Sequence, residues 1–98
     1  MAGMIPNSMF PFAYRTDVGF YGEIKDYNEA IVPGIYKIDG DMAGAGNEPP
    51  ASNFYGSMIV CEAENLITQI FMAGSTENCV YIRNRGVKGS WSNWTSLI

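Results

Sequence analysis

Cys79-Val-Tyr-Ile-Arg-Asn-Arg85 reads as a half-buried β-strand, because its side chains alternate in character. One side carries Val80 and Ile82, and the other carries Tyr81, Arg83 and Arg85. The apolar side is expected to face the core. The ring and the two guanidinium groups are expected to face outward.

A turn and a returning strand follow this stretch. Gly86-Val-Lys-Gly-Ser90 has the composition of a turn, so residues 91–97 are predicted to return beside the first strand as a hairpin. The returning segment opens with Trp91-Ser-Asn-Trp94. Residues three apart in a regular strand face opposite ways, so we expect one Trp in the core and the other exposed or at an interface.

Two further strands are predicted upstream of this hairpin. Residues 55–62 are apolar on both faces, and residues 65–72 follow after a short Ala-Glu-Asn link. Residues 55–97 therefore predict a four-stranded antiparallel meander with short turns.

The first half of the domain adds one strand, one short helix and one long loop. Pro33-Gly34 is a turn that begins a strand over 34–39, and Asp26 is placed to cap a helix near residues 24–31. Residues 40–53 are rich in Gly and Pro, and loops of this length more often have a function or are flexible than serve only to connect elements. The expected fold is mainly β, a small antiparallel meander or sandwich with one short helix.

The composition bears on partners. The chain has 98 residues, of which 47% are hydrophobic and only 16% are charged, which favours burial against other chains. The net charge of −4 and the absence of His argue against nucleic acid and against anionic membrane surfaces. No apolar run is long enough for membrane insertion. Cys61 and Cys79 are expected to be reduced and buried, although a disulfide is possible if their strands are neighbours.

The first 22 residues differ from the rest. Rings and long apolar side chains are frequent there, two prolines discourage a helix, and Arg15 and Asp17 are the only charged residues. We expect residues 1–22 to pack on a partner subunit or a preceding domain, and residues 23–98 to form the β domain.

The sequence offers little for catalysis. There is no His to shuttle protons near neutral pH, and Gly44-Ala-Gly46 is followed by Asn-Glu-Pro-Pro, which cannot open a phosphate-binding helix. Ala43 stands where a calcium loop needs a ligand, and two Cys without His do not make a typical zinc site. We therefore expect no enzyme activity, no cofactor and no metal.

Aromatic, amide and guanidinium side chains suggest a glycan-binding surface instead. A saccharide presents C–H patches beside hydroxyls, so its site combines ring platforms with hydrogen-bonding groups. The alternative is that the Trp residues only fix the last strand to the sheet. The candidate ligand-binding residues are Tyr55, Gln69, Tyr81, Arg83, Arg85 and Trp94.

Over residues 23–97 the chain resembles the knob domain of pyocin and bacteriophage tail-fibre proteins. The resemblance rests on an ordered set of short motifs rather than on any one of them. They are Pro33-Gly-Ile-Tyr36, Gly56-Ser-Met-Ile-Val60, Thr68-Gln-Ile-Phe71, Val80-Tyr-Ile-Arg-Asn-Arg85 and Trp91-Ser-Asn-Trp94.

This resemblance implies a β module of a homotrimeric fibre that recognises the bacterial surface, often its polysaccharide. It implies a viral or prophage receptor-binding protein, made in the bacterial cytoplasm and extracellular once assembled in the virion tail fibre. Trimer burial would account for the scarce charge, the apolar strand at 55–62 and the aromatic start. Two alternatives are a purely structural, trimerising fibre module and a carbohydrate-binding module of a secreted bacterial protein.

Overall fold

The computed structural model describes residues 14–15, 25–75 and 77–98, and these residues form one sheet with the strand order β1 to β6. The strands are β1 Tyr14–Arg15, β2 Gly34–Ile38, β3 Gly56–Ala63, β4 Leu66–Gly74, β5 Asn78–Arg85 and β6 Thr95–Ser96. Strands β2 to β6 form an antiparallel meander, and the short β1 pairs with β2 in parallel. The predicted mainly β meander is confirmed.

The predicted short helix near residues 24–31 is a single 3-10 turn, Tyr27–Glu29. Asp26 caps this turn as expected, because its side chain accepts a hydrogen bond from the backbone N–H of Asn28 at 2.8 Å. A second 3-10 turn, Gly40–Met42, opens the long loop. Apart from Tyr14–Arg15, the segment 1–22 lies outside the described residues.

The hairpin between β3 and β4 has a two-residue turn. Ala63 pairs with Leu66, and the intervening Glu64 and Asn65 have φ of 51° and 70°. Two consecutive positive φ angles are typical of a type I′ turn, whose twist matches that of the flanking strands. This turn fixes the register of the central hairpin.

One face of the sheet, here called the inner face, is covered by residues 25–33, by residues 39–54 and by the C-terminal return. The core lies between this face and the covering segments. It contains the side chains of alternate strand residues together with buried residues of those segments. The buried apolar residues are Tyr27, Ala30, Tyr36, Ile38, Met42, Ala45, Met58, Val60, Ile67, Phe71, Ala73 and Cys79. Met58 and Val60 thus belong to the core formed by this chain itself.

The expected orientation of β5 is wrong. Tyr81 lies opposite Phe71 and Arg83 lies opposite Gln69, and paired residues share a face of the sheet. Because Phe71 is fully buried on the inner face, the ring and the guanidinium group point inward. The alternation along β5 was correctly read, but the polar side of the strand is the covered one.

The opposite face, here called the outer face, carries a row of isoleucines across four strands. Ile35 pairs with Ile59, Ile59 with Ile70, and Ile70 with Ile82. All four side chains are half-buried. The two apolar faces of β3 therefore have different surroundings. Met58 and Val60 lie in the core, and Ile59 lies in the isoleucine row of the outer face.

The two cysteines are both free, and they lie on different strands and faces. Cys79 is buried on the inner face, whereas Cys61 is half-buried on the outer face. Strand β4 separates their strands, so the condition for a disulfide is not met. In the described part of the chain, no helix has the length and apolar character needed to cross a membrane.

Candidate functional site

An open cavity of about 260 Å³ lies over the inner face, beside the end of β5. Its wall combines two indole rings, a guanidinium group, amides and a carboxylate. The lining residues are Asn28, Asn47, Glu48, Arg83, Trp91, Ser92, Asn93 and Trp94. Three separate segments therefore build it: the capped turn, the long loop and the C-terminal hairpin.

Arg83 is the buried cation of this cavity, with 4% of its surface exposed. Its guanidinium carbon lies 4.0 Å from the ring centroid of Trp91 and 4.5 Å from that of Trp94, within the range of cation–π attraction. Burial lowers the pKa of Arg83 to about 10, while the charge of Asp26 acts in the opposite direction. The side chain therefore keeps its positive charge at neutral pH.

Gln69 fixes the position of Arg83 through a hydrogen bond. The Arg83 Nε–H donates to Gln69 Oε1 at 2.8 Å. The Gln69 amide donates in turn to the carbonyls of Tyr27 at 2.7 Å and Ala30 at 2.9 Å. Through these bonds Gln69 connects β4 with the 3-10 turn and with the guanidinium group. Because Gln69 is fully buried, it cannot itself touch a ligand in the cavity.

One nitrogen of Arg83 is left without a partner. Nη2 is buried and makes no hydrogen bond, and the same is true of Asn28 Oδ1. Buried polar atoms are almost always paired, so each exception requires an explanation. Here a donor and an acceptor without partners belong to two side chains of the same cavity.

Both Trp residues lie on the inner face, which corrects the expectation that they face opposite ways. Trp91 pairs with Arg85, and Thr95 pairs with Ile82, so the returning segment holds one residue more than the β5 segment it faces. An extra residue of this kind is a bulge, and it re-aims the side chains that follow. Trp94 consequently turns to the same side as Trp91.

The segment between the Trp residues is fixed to β5 through Asn84. The Asn84 N–H donates to Ser92 Oγ at 3.0 Å, and the Ser92 N–H donates to the Asn84 carbonyl at 2.7 Å. Trp94 is held separately, because its Nε1–H donates to the Asn47 carbonyl at 2.9 Å. The ring of Trp94 also meets that of Tyr27 edge-on at 6.3 Å.

The long loop contributes Asn47 and Glu48. Asn47 has φ 60°, a left-handed conformation that Asn tolerates, and its Nδ2–H donates to Asp26 Oδ1 at 2.8 Å. This bond and the N–H of Asn28 lower the pKa of Asp26. Glu48 accepts a hydrogen bond from the Gly44 N–H at 2.6 Å. The loop is therefore anchored where it borders the cavity.

The structure brings two of the six predicted ligand-binding residues to the cavity wall, Arg83 and Trp94. Gln69 lies beneath them as described above. Arg85 is near the site but outside the wall, with its guanidinium carbon 6.0 Å from the Trp91 ring.

The other two predicted residues serve the loop or face solvent. Tyr81 donates its hydroxyl to the Pro50 carbonyl at 3.0 Å and so holds the long loop against the sheet. Tyr55 is 57% exposed and is not part of the cavity wall.

Sequence reasoning did not select Asn28, Asn47, Glu48 or Ser92. The length and composition of loop 40–53 marked it as a candidate functional segment, but nothing in its sequence singles out Asn47 and Glu48. Asn28 enters the wall because Asp26 caps its turn. Among the described residues, no group of three or more His, Cys, Asp or Glu is placed to hold a metal ion.

Comparison of the chain with family models, with curated proteins and with solved structures returns no match.

Proposed function

We propose that this chain is a non-enzymatic module of a bacteriophage or prophage tail fibre, and that it binds bacterial surface polysaccharide in the cavity around Arg83. The tail-fibre context comes from the motif resemblance in residues 23–97. The binding function is supported above all by one observation, the buried Arg83 packed against two indole rings in an open, amide-lined cavity.

The chemistry of this cavity suits a sugar. Indole rings pack against the C–H patches of a pyranose, and amide and hydroxyl groups pair with its hydroxyls. Asn93 and Ser92 are exposed at the wall, beside Trp91 and Trp94. A site fixed by a bulge, a buried glutamine and an anchored loop loses little entropy on binding.

Tryptophan fluorescence tests the binding proposal directly. The chain contains two Trp, and both line the cavity, so a bound glycan changes the environment of every indole in the protein. We expect purified lipopolysaccharide or capsular polysaccharide from a host strain to shift the emission in a saturable way. The variant Asn93→Ala is expected to weaken binding, because it removes an amide from the wall.

Tyr55→Ala is the matched control, since it deletes an exposed ring outside the cavity. Equal loss of binding in both variants would place the ligand elsewhere. No response to a broad panel of bacterial polysaccharides, with the fold intact, would refute the binding proposal.

The homotrimer remains part of the proposal, and the outer face of the sheet is the surface we assign to it. The isoleucine row from Ile35 to Ile82 is half-buried, and an apolar row of this kind gains stability when copies of the chain cover it. Sedimentation equilibrium tests this assignment, with Ile59→Lys expected to dissociate the trimer. A wild-type mass of 10.8 kDa at micromolar concentration would contradict it. A trimer that binds no glycan would support the purely structural alternative.

A further inference from the structure

We infer that the cavity selects the acetamido group of an N-acetylated sugar, an inference that rests on the glycan-binding function proposed above. Two atoms without partners carry it. Arg83 Nη2 is a hydrogen-bond donor and Asn28 Oδ1 is an acceptor, and both are buried atoms of cavity-lining side chains.

Arg83 is committed to its position by the rest of the site. Its Nε–H is already used by Gln69, and its guanidinium group packs against the rings of both Trp91 and Trp94. Only 4% of the residue is exposed. The unused N–H groups of Nη2 are therefore oriented before any ligand arrives.

The ligand must supply an acceptor for Arg83 and a donor for Asn28. An acetamido group has one carbonyl oxygen, one N–H and one methyl group. The carbonyl pairs with Nη2, the N–H pairs with Oδ1, and the methyl packs on an indole face. Each part of the group thus meets the matching chemistry of the wall.

Two other common substituents of sugars fit less well. A carboxylate only accepts hydrogen bonds, so it would leave Asn28 Oδ1 unpaired, and Glu48 at the wall would repel it. A hydroxyl can pair with either atom, but it brings no methyl group for the indole rings. The site therefore distinguishes an acetamido group from a carboxylate and from a hydroxyl.

Binding requires a movement of Asn28. Both unpaired atoms are closed to solvent in the free protein, so the acetamido group reaches them only if the Asn28 side chain moves within the wall. The backbone of Asn28 stays fixed during this movement, because its N–H is bound to Asp26 at 2.8 Å.

The experiment compares three matched trisaccharides by tryptophan fluorescence titration. They are triacetylchitotriose, its de-N-acetylated form, and cellotriose, which carries hydroxyls in place of the acetamido groups. We expect the acetylated ligand to bind at least about tenfold tighter than either of the others, because a site built for a polar group rejects analogues that lack it. An oligogalacturonate serves as the carboxylate probe and is expected to bind weakly.

Asn28→Ala tests the assigned acceptor. We expect it to lower the affinity for triacetylchitotriose about tenfold and the affinity for cellotriose by clearly less, because only the acetamido N–H is matched to this acceptor. Tyr55→Ala is the control outside the cavity, and circular dichroism checks the fold of both variants.

The outcomes separate the inference from the function on which it rests. If host polysaccharide binds but the acetylated and de-N-acetylated trisaccharides bind equally, the inference is overturned and the proposed function stands. The same holds if oligogalacturonate binds best. If no glycan of any kind alters the emission, the proposed function fails and the inference fails with it.

Discussion

Replacing Gln69 by leucine is expected to destabilise the domain strongly, although leucine is similar in size and more apolar. The change removes the partner of the Arg83 Nε–H and of the Ala30 carbonyl. The Tyr27 carbonyl is less affected, because it also accepts from the Ala30 N–H at 3.2 Å. Each buried group left unpaired costs about 1–3 kcal/mol, and the charged one lies at the upper end.

The greater hydrophobicity of leucine offsets about 1 kcal/mol of this loss. We therefore expect Gln69→Leu to lower the free energy of unfolding by about 3 kcal/mol. For a domain with a total stability of roughly 5–15 kcal/mol, this is a large fraction.

Urea denaturation at neutral pH and one fixed protein concentration measures this effect. The matched control is Thr68→Val on the same strand, because Thr68 is on the outer face and bonds only to an exposed side chain, Asn84 Oδ1 at 2.6 Å. We expect the control to cost less than about 1 kcal/mol. If Gln69→Leu costs no more than the control, the buried network does not stabilise the fold and the reasoning is wrong.

Four further variants test the fold at other points. Gly56→Ala is expected to cost about 3 kcal/mol in urea unfolding, because a Cβ there would collide with the backbone of β4. Gly86→Ala should be neutral or stabilising, because a Cβ there meets nothing within 4 Å. An equal loss of stability in the two glycine variants would contradict this reasoning. Glu64→Asn combined with Asn65→Gly should raise stability by about 0.5–1 kcal/mol, since both turn residues have positive φ; a loss would argue against a type I′ turn. The Asp26→Asn variant should have a lower free energy of unfolding than the wild type, and this difference should become smaller as the pH falls. Because the pKa of Asp26 is lowered below 3.8 in the folded state, its contribution is complete above that value and is lost as the pH drops through the folded pKa; a deficit that does not change with pH would refute this.

The fold was largely predictable because it follows from local signals. Alternating residues, Gly-rich turns and the Pro33-Gly34 break each act over a few positions, and together they gave the order of β2 to β6. The face of β5 was not predictable in this way. The rule that polar side chains face water fails where a neighbouring strand and the covering layer supply partners, as Gln69 and the indole rings do for Arg83.

The candidate site was predictable only in part, because it is assembled from distant segments. Asn47 bonds to Asp26 across 21 residues of chain, and the Trp94 indole bonds to the Asn47 carbonyl across 47. No pattern in the sequence reports such contacts. The single extra residue that turns Trp94 inward is likewise invisible without the register, although the Trp-Ser-Asn-Trp motif itself marked the segment as unusual.

The position of Arg83 is itself an argument that the cavity has a function. Taking a guanidinium group out of water is costly, and buried charges can often be replaced by apolar residues without loss of stability. In this protein the cost is not fully recovered, since Nη2 stays unpaired although the guanidinium group contacts two indole rings. A donor held ready for a ligand, as we propose for this cavity, would account for that arrangement. In the proposed function, the unpaired nitrogen of Arg83 is half of a hydrogen bond that the bound glycan completes.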